Sequence, residues 1–349
     1  MNSTTVKNRD HRLTRSGTRT VQVLLLLAVG FACVALAAAL SLAFGARTVG
    51  INDILAGLFD SETTSIGAVV VRERIPRTVL GLIAGAALGM SGALMQAITR
   101  NPIADPSVLG VNTGASLFVV CGIAFLNIGS PMQYLLLAFA GAGATAVFVY
   151  AIGSMGRGGA TPIKLALAGT ATSAALSSLV SAVMLPRTTV MDDFRFWQVG
   201  RVGGATWEAI AVAAPLLIIG LVTGIVCAPA LNALALGDDA ATGLGVRTGL
   251  LRLTAAFAGV LLCGSVTALA GPIGFVGLMA PHVVRLILGA DQRLILPMSA
   301  VGGAVILTVA DVIGRVAGGS GELEAGVVTA FLGAPVMILI AVKSKVRSL

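Results

Sequence analysis

Charged side chains are scarce in this chain. Only 11% of its 349 residues are Asp, Glu, Lys or Arg, against about 25% in an ordinary soluble domain. A water-soluble fold of this size could not cover its surface with so little charge, so the chain reads as an integral membrane protein. Histidine is rarer still, with His11 and His282 alone. There is no HExxH and no His/Cys cluster to hold a metal. There is no GxxxxGK[ST], which excludes a Walker-type nucleotide site of its own. No span is rich in carboxylates as a proton pump requires, and Asp311 is the one acid near a span's interior. Energy for uphill transport would have to come from another subunit. The four cysteines (Cys33, Cys121, Cys227, Cys263) lie in apolar stretches without CxxC spacing, so they read as small buried residues. Disordered chains, disulfide scaffolds and nucleic-acid readers are excluded too, because the net charge of +8 sits in short segments between apolar runs.

What is abundant is apolar, at 56% of residues and a mean hydropathy of +0.97. A helix needs about 20 apolar residues to cross the bilayer core. Charge-free stretches predict ten spans: 20–46, 78–99, two in 106–156 divided at Asn127–Pro131, 165–186, 209–237, two in 253–284 divided at Gly271–Gly274, 294–310 and 325–342. The reading is one all-α polytopic domain over 20–345, preceded by a basic tail over 1–19. That tail carries Lys7, Arg9, Arg12, Arg15 and Arg19, which by the positive-inside rule keeps it cytoplasmic. Ten spans return the C-terminus to the same side. Arg47, Arg72, Arg74 and Arg77 then fall in one outer loop, Arg187, Arg195 and Arg201 in another, and Arg315 in the last. Arginine held outside against the charge bias suggests an acidic partner.

Gly81, Gly85 and Gly89 share one helix face, the spacing that lets helices approach closely in lipid. Two spans are broken by Pro and Gly, one at Asn101-Pro102 and Asp105-Pro106, the other at Gly271-Pro272 and Ala280-Pro281. The breaks fall on opposite sides of the membrane, so the two halves read as an inverted-repeat-like pair, a pointer to a transporter. A competing reading is an intramembrane serine protease, from Gly89-Met90-Ser91-Gly92 with His282 as base. Ser91 lies among small residues where serine is a common packing choice, and His282 follows Pro281 at a helix start where a cap is as simple.

Residues 234–252 form the longest polar cytoplasmic segment between spans. Asp238 and Asp239 before Ala240-Ala241 suit a helix N-terminus, and Gly243-x-Gly245 suits its end. The expectation is a short helix lying across the cytoplasmic face.

Taken in order, several motifs resemble the FecCD family, the membrane permeases of ABC importers for ferric siderophores, haem and vitamin B12. They are Arg74-Ile75-Pro76-Arg77 opening the second span, Asn101-Pro102-Ile103-Ala104-Asp105-Pro106, the Asp-Ala-Ala loop, Gly271 to Leu278 with Pro281-His282 and Arg285, Ala310-Asp311, Gly321-Glu322-Leu323 and Gly333-Ala334-Pro335. The resemblance covers about 20–345. Phe194 to Gln198 and the Gly-Glu-Leu look most like the ferric-enterobactin (catecholate) branch. The chain departs where the family has Glu-x-Pro-x-Gly and it has Glu322-Leu323-Glu324-Ala325-Gly326, and at Met337 where Phe is usual.

The resemblance implies the vitamin B12 permease fold of type II importers, a second permease subunit as homo- or heterodimer partner, and two ATP-binding-cassette ATPases. It also implies one extracytoplasmic siderophore-binding protein. The permease itself is then no enzyme and binds no cofactor, and ATP and Mg belong to the ATPase. Coupling would run through Asp238, Asp239, Ala240, Ala241, Gly243 and Gly245. The binding protein would dock on Arg74, Arg77 and Arg315. The pathway would lie between two permeases along 161–185 and 325–342, with an inner gate at Gly158, Gly159, Ala160, Thr161, Pro162 and Ile163. The cargo would be a ferric siderophore, the alternative being haem or cobalamin, and the chain would sit in the inner membrane with both termini cytoplasmic. A secondary transporter is a third reading, and it would need no ATPase.

Overall fold

A computed structural model describes residues 25–346 apart from 46, 61, 62, 64 and 156–160. The basic tail, and Gly158, Gly159 and Ala160 of the expected gate, lie outside the described residues. Among the described residues there is no strand. The helices are α1 (Leu25–Ala43), α2 (Ile51–Phe59), α3 (Ile66–Thr99), α4 (Val111–Leu126), α5 (Pro131–Ser154), α6 (Pro162–Met184) and α7 (Thr188–Gln198). They continue with α8 (Trp207–Ala235), α9 (Asp238–Gly243), α10 (Thr248–Ala270), α11 (Val276–Leu288), α12 (Gln292–Ala317) and α13 (Ala325–Val346). Among the described residues, seven helices are long and apolar enough to cross a membrane, and α4, α11 and α13 carry shorter apolar stretches. Together these ten apolar helices fall at the ten stretches expected from the sequence.

Two expectations are corrected. The second span does not open at Arg74–Arg77. Helix α3 begins at Ile66, capped by Ser65, whose hydroxyl accepts from the Ala68 amide at 3.1 Å. Pro76 lies inside the helix, so Arg72, Arg74 and Arg77 ride on helical turns and not on a loop. Helices α2 and α7 are short amphipathic additions that no charge-free run announces.

Helix α3 is the mast of the bundle. Its glycine face meets α12: a Cβ on Gly85 would overlap the Gly303 carbonyl, and one on Gly89 the Ser299 carbonyl. One turn further, Gly92 lies against the backbone of Gly277 in α11. No side chain fits at these crossings. Gly89→Ala is therefore expected to cost at least the upper end of the roughly 1–3 kcal/mol of overpacking. Gly302→Ala, on the facing helix with its nearest neighbour at 3.7 Å, should melt in detergent like the parent. Equal melting of the two variants would contradict the packing.

The two breaks have the same construction at opposite ends. At one end α3 stops at Arg100, in the left-handed region with φ 53°. The chain then climbs through Asn101–Asp105 and a 3-10 turn (Pro106–Leu109) before α4 starts. Asn112, in the first turn of α4, accepts from Thr267 near the far end of α10 at 2.9 Å, so α4 begins well inside the bundle. At the other end α10 stops at Gly271 (φ 74°), and the chain runs through Phe275 (φ 68°) into α11. The 16 and 13 residues of α4 and α11 span about 24 Å and 20 Å at about 1.5 Å per residue. Both fall short of the hydrocarbon core of about 30 Å. Each is a half-helix entered from the opposite face, the inverted arrangement the sequence suggested.

Candidate functional site

Two ends of the bundle carry the chemistry. At the first, α9 is a six-residue helix set between Gly237 (φ 120°) and Gly245 (φ 83°). Ala241 is fully buried and anchors it, and the Val246 amide donates back to the Ala241 carbonyl at 3.0 Å. Asp238 accepts from Arg100 at the end of α3 and from Arg252 of α10, the latter at 2.9 Å. Its carboxylate thus clasps α9 to two spans instead of only facing the helix dipole. Asp239, Ala240, Gly243 and Gly245 are exposed, as are Leu236 and Leu244 beside them. The sequence did not single out those two leucines, which give the knob an apolar rim. The expected short helix is present, and it is rigidly mounted. The same end is tied to α12: Asn232 of α8 donates to Asp291 at 2.7 Å and accepts from the Gln292 amide at 2.7 Å.

The other end holds an ion-pair knot. Arg77 donates to Asp311 of α12 through Nε (3.1 Å) and Nη2 (2.9 Å), and to Glu322 through Nη1 at 2.8 Å. Arg315 sits 3.0 Å from the other oxygen of Asp311 and donates to the Ser41 carbonyl and hydroxyl of α1. Arg74 donates to the carbonyls of Leu42 (2.8 Å) and Arg47 (2.5 Å). Three guanidiniums thus bind α1, α3, α12 and the loop before α13 into one unit. Charge in an apolar bundle is tolerated when paired in this way.

This geometry departs from the docking surface implied for Arg74, Arg77 and Arg315. Arg74 and Arg315 are 8% and 2% exposed and are spent on internal partners. Arg77 is at the rim, and only Glu322 of its two acids is substantially exposed, at 41%. Arg201 is exposed beside them and belongs to a cavity of about 400 Å³ with Tyr134, Asp193 and Trp197. Burial pushes the Glu324 carboxyl above the ordinary carboxylate range, while Arg201 and Arg77 pull it down.

Of the other candidates, Thr161 caps α6, accepting from the Lys164 amide at 3.4 Å, Pro162 opens that helix, and Ile163 is exposed. Asn101 and Asp105 accept from the Ile103 and Ser107 amides, the local caps expected at such breaks. The Ser91 hydroxyl donates to the Gly259 carbonyl at 2.5 Å, the packing role and not that of a nucleophile. Among the described residues no group of three metal-ligating side chains gathers.

Helix α6 is unusual. It is largely unburied, yet it exposes Thr170, Ser177, Ser178 and Ser181 along one face. Thr170, Ser178 and Ser181 turn back onto carbonyls of their own helix. Helix α13 is likewise open, with Phe331, Ile338 and Leu339 exposed.

Broken half-helices, glycine-packed crossings and a rigid terminal knob define a membrane transporter of the permease class. The FecCD transport family model matches residues 33–343. The ferric enterobactin transport system permease protein of Escherichia coli is 44% identical over 89% of this chain and 93% of its own length. The Fe(3+)-citrate import system permease protein of Bacillus subtilis is 40% identical over 88% and 91%. A solved metal-chelate type ABC transporter in an inward-facing conformation superposes with a TM-score of 0.79 at 25% identity, covering 91% of this chain and 98% of that one. The chain belongs to the FecCD transport family. It is a transport component and not an enzyme.

Proposed function

We propose that this chain is the permease of an ATP-driven importer that passes ferric siderophores of the catecholate type into the cytoplasm. It works by alternating access, in the inner membrane, as one of a pair of permeases. The α9 end faces the cytoplasm, with both termini, and meets two ATPase subunits. The knot end faces outward and meets a siderophore-binding protein. The catecholate reading rests on the relative named for ferric enterobactin.

The observation that carries the transport reading is the hydroxyl face of α6. A helix facing lipid gains nothing from four exposed hydroxyls, whereas a helix lining a wet passage does. Thr170, Ser177, Ser178 and Ser181 would form one wall of a path completed by the second permease, with α13 beside it. Such a wall binds weakly, which suits a channel that must release its cargo. Gly158 to Ile163 at the start of α6 would form the inner gate. Asp239, Ala240 and Gly243, rimmed by Leu236 and Leu244, would seat in the ATPase, with Asp238, Ala241 and Gly245 fixing the knob. On the outer face, Arg77 and Arg201 are within reach of an acidic partner, and Arg74 and Arg315 would hold the platform beneath. Rim pairs of this kind set orientation and on-rate and weaken with salt.

The test is uptake into proteoliposomes that hold the permease pair, with ferric catechol, citrate and hydroxamate chelates compared. Uptake of the catechol chelate only with the ATPase, ATP and the binding protein present is expected. Uptake with the ATPase omitted would refute the coupling, and preference for ferric citrate would refute the cargo.

A further inference from the structure

Two cavities meet on the α9 side of the bundle. One is a groove of about 400 Å³ between α5 and α10, walled by side chains such as Phe139, Val147, Phe257 and Val260. The other is a chamber of about 660 Å³ toward α9, reaching Thr99, Asn101, Asp238, Thr248 and Arg252. Leu109, Tyr150 and Ala256 line both, so the two form one slot, apolar along its length and polar at its mouth. Gly143 in the groove and Gly249 in the chamber each look onto open space, with no atom within 4 Å of where a Cβ would stand. In the chamber, one Asp238 oxygen serves both Arg100 and Arg252. The Arg252 side chain is 20% exposed, with Nη2 on Asp238 and Nε enclosed by its surroundings without a hydrogen-bond partner. Asp105 also lines the chamber, but its Oδ1 accepts from Ser107 and its Oδ2 lies toward Gly277 at the start of α11. Two guanidiniums share one carboxylate oxygen, so neither charge has a carboxylate of its own.

We propose that this slot holds an anionic phospholipid, with an acyl chain in the α5–α10 groove and the phosphate against Arg252. The apolar groove lies at membrane depth, where an acyl chain is the ambient ligand and a hydrophilic chelate gains nothing. A partly exposed arginine that shares its carboxylate with a second guanidinium is well suited to a phosphate oxygen. Basic pockets between spans are used in this way for anionic headgroups. The lipid would brace the Asp238 clasp, and so the mounting of α9, from the bilayer side. The chamber also touches Ile163 and Thr170 of α6, so the site adjoins the gate and wall proposed above. Its test uses no uptake measurement, so the two readings can fail separately.

The test is thermal melting of the purified full chain in mild detergent with phosphatidylglycerol, phosphatidylcholine or inorganic phosphate added, alongside native mass spectrometry. A ligand held only by the folded state raises the midpoint. Phosphatidylglycerol is expected to raise it, and phosphatidylcholine and phosphate to raise it by less than half as much. Native spectra of the parent are expected to retain one phosphatidylglycerol. Gly143→Phe, which fills the groove, and Arg252→Gln, which removes the phosphate partner, should each at least halve the shift and abolish that retained lipid. If Arg252→Gln does not fold, Gly249→Leu serves for the chamber. An unchanged phosphatidylglycerol shift in the groove and chamber variants would overturn the site. So would an equal shift from phosphatidylcholine or free phosphate, or displacement of the lipid by a ferric catechol chelate.

Discussion

Asp311→Asn is expected to destabilise the bundle by about 3–5 kcal/mol, the usual cost of removing one partner from a buried ion pair. Asp311 is 3% exposed and serves two cations, Arg77 by three hydrogen bonds and Arg315 by an ion-pair contact. Asparagine keeps the shape and removes the charge, so the buried Arg315 guanidinium would retain only the Ser41 oxygens. Glu322→Gln removes the more exposed partner of Arg77 and should cost at most about 1 kcal/mol. Pairing Asp311→Leu with Arg315→Met should recover only the share of the loss that comes from Arg315, because Arg77 would still keep Glu322 alone. Melting midpoints in detergent give all three values. A single Asp311→Asn variant that melts with the parent would show that the knot does not carry the load assigned to it.

The same knot marks where the sequence was opaque. Charge-free runs located the ten apolar helices, because the bilayer forbids much else. They failed at the start of α3, since four arginines within 47–77 look like a loop until their partners are known. Arg77 has Asp311 and Glu322, more than 230 residues away, Arg74 has backbone carbonyls of α1 and of the loop after it, and Arg72 has carbonyls of the loop after α2, to none of which a sequence pattern points. The glycine face was legible from its spacing, but not what it meets, the carbonyls of Ser299 and Gly303. The Pro and Gly breaks were legible as breaks. That they produce half-helices became visible only once Asn112 met Thr267 and Gly92 met Gly277. At α9 the acids and glycines announced a helix, while the clasp through Arg100 and Arg252 needed the fold. The slot beside it left no trace in the sequence, because its walls come from four separate stretches of chain.

Replacing Ala241 by tryptophan is expected to abolish uptake while leaving a folded protein in the membrane. Ala241 is the one fully buried residue of α9. Its amide donates to the Gly237 carbonyl at 2.9 Å, and its carbonyl receives the Leu244 and Val246 amides. A large side chain there must lift α9 off the bundle, and the Asp238 clasp to Arg100 and Arg252 opens with it. The knob would then yield when the ATPase pushes, instead of moving the spans. Gly243→Pro tests the same mounting from the exposed side. The glycine faces open space, so packing is spared, but proline within a helix costs about 3 kcal/mol locally and unwinds the last turn. Ten-fold or greater loss of ATP-driven uptake is expected for both variants, with membrane abundance and the melting midpoint of the bundle near those of the parent. Alanine at the exposed, unclasped Asp239 should cost less uptake than either. Parent-level uptake in both α9 variants would mean that the power stroke enters the bundle elsewhere. A collapse of abundance together with uptake would mean that α9 is part of the core and not a lever mounted upon it.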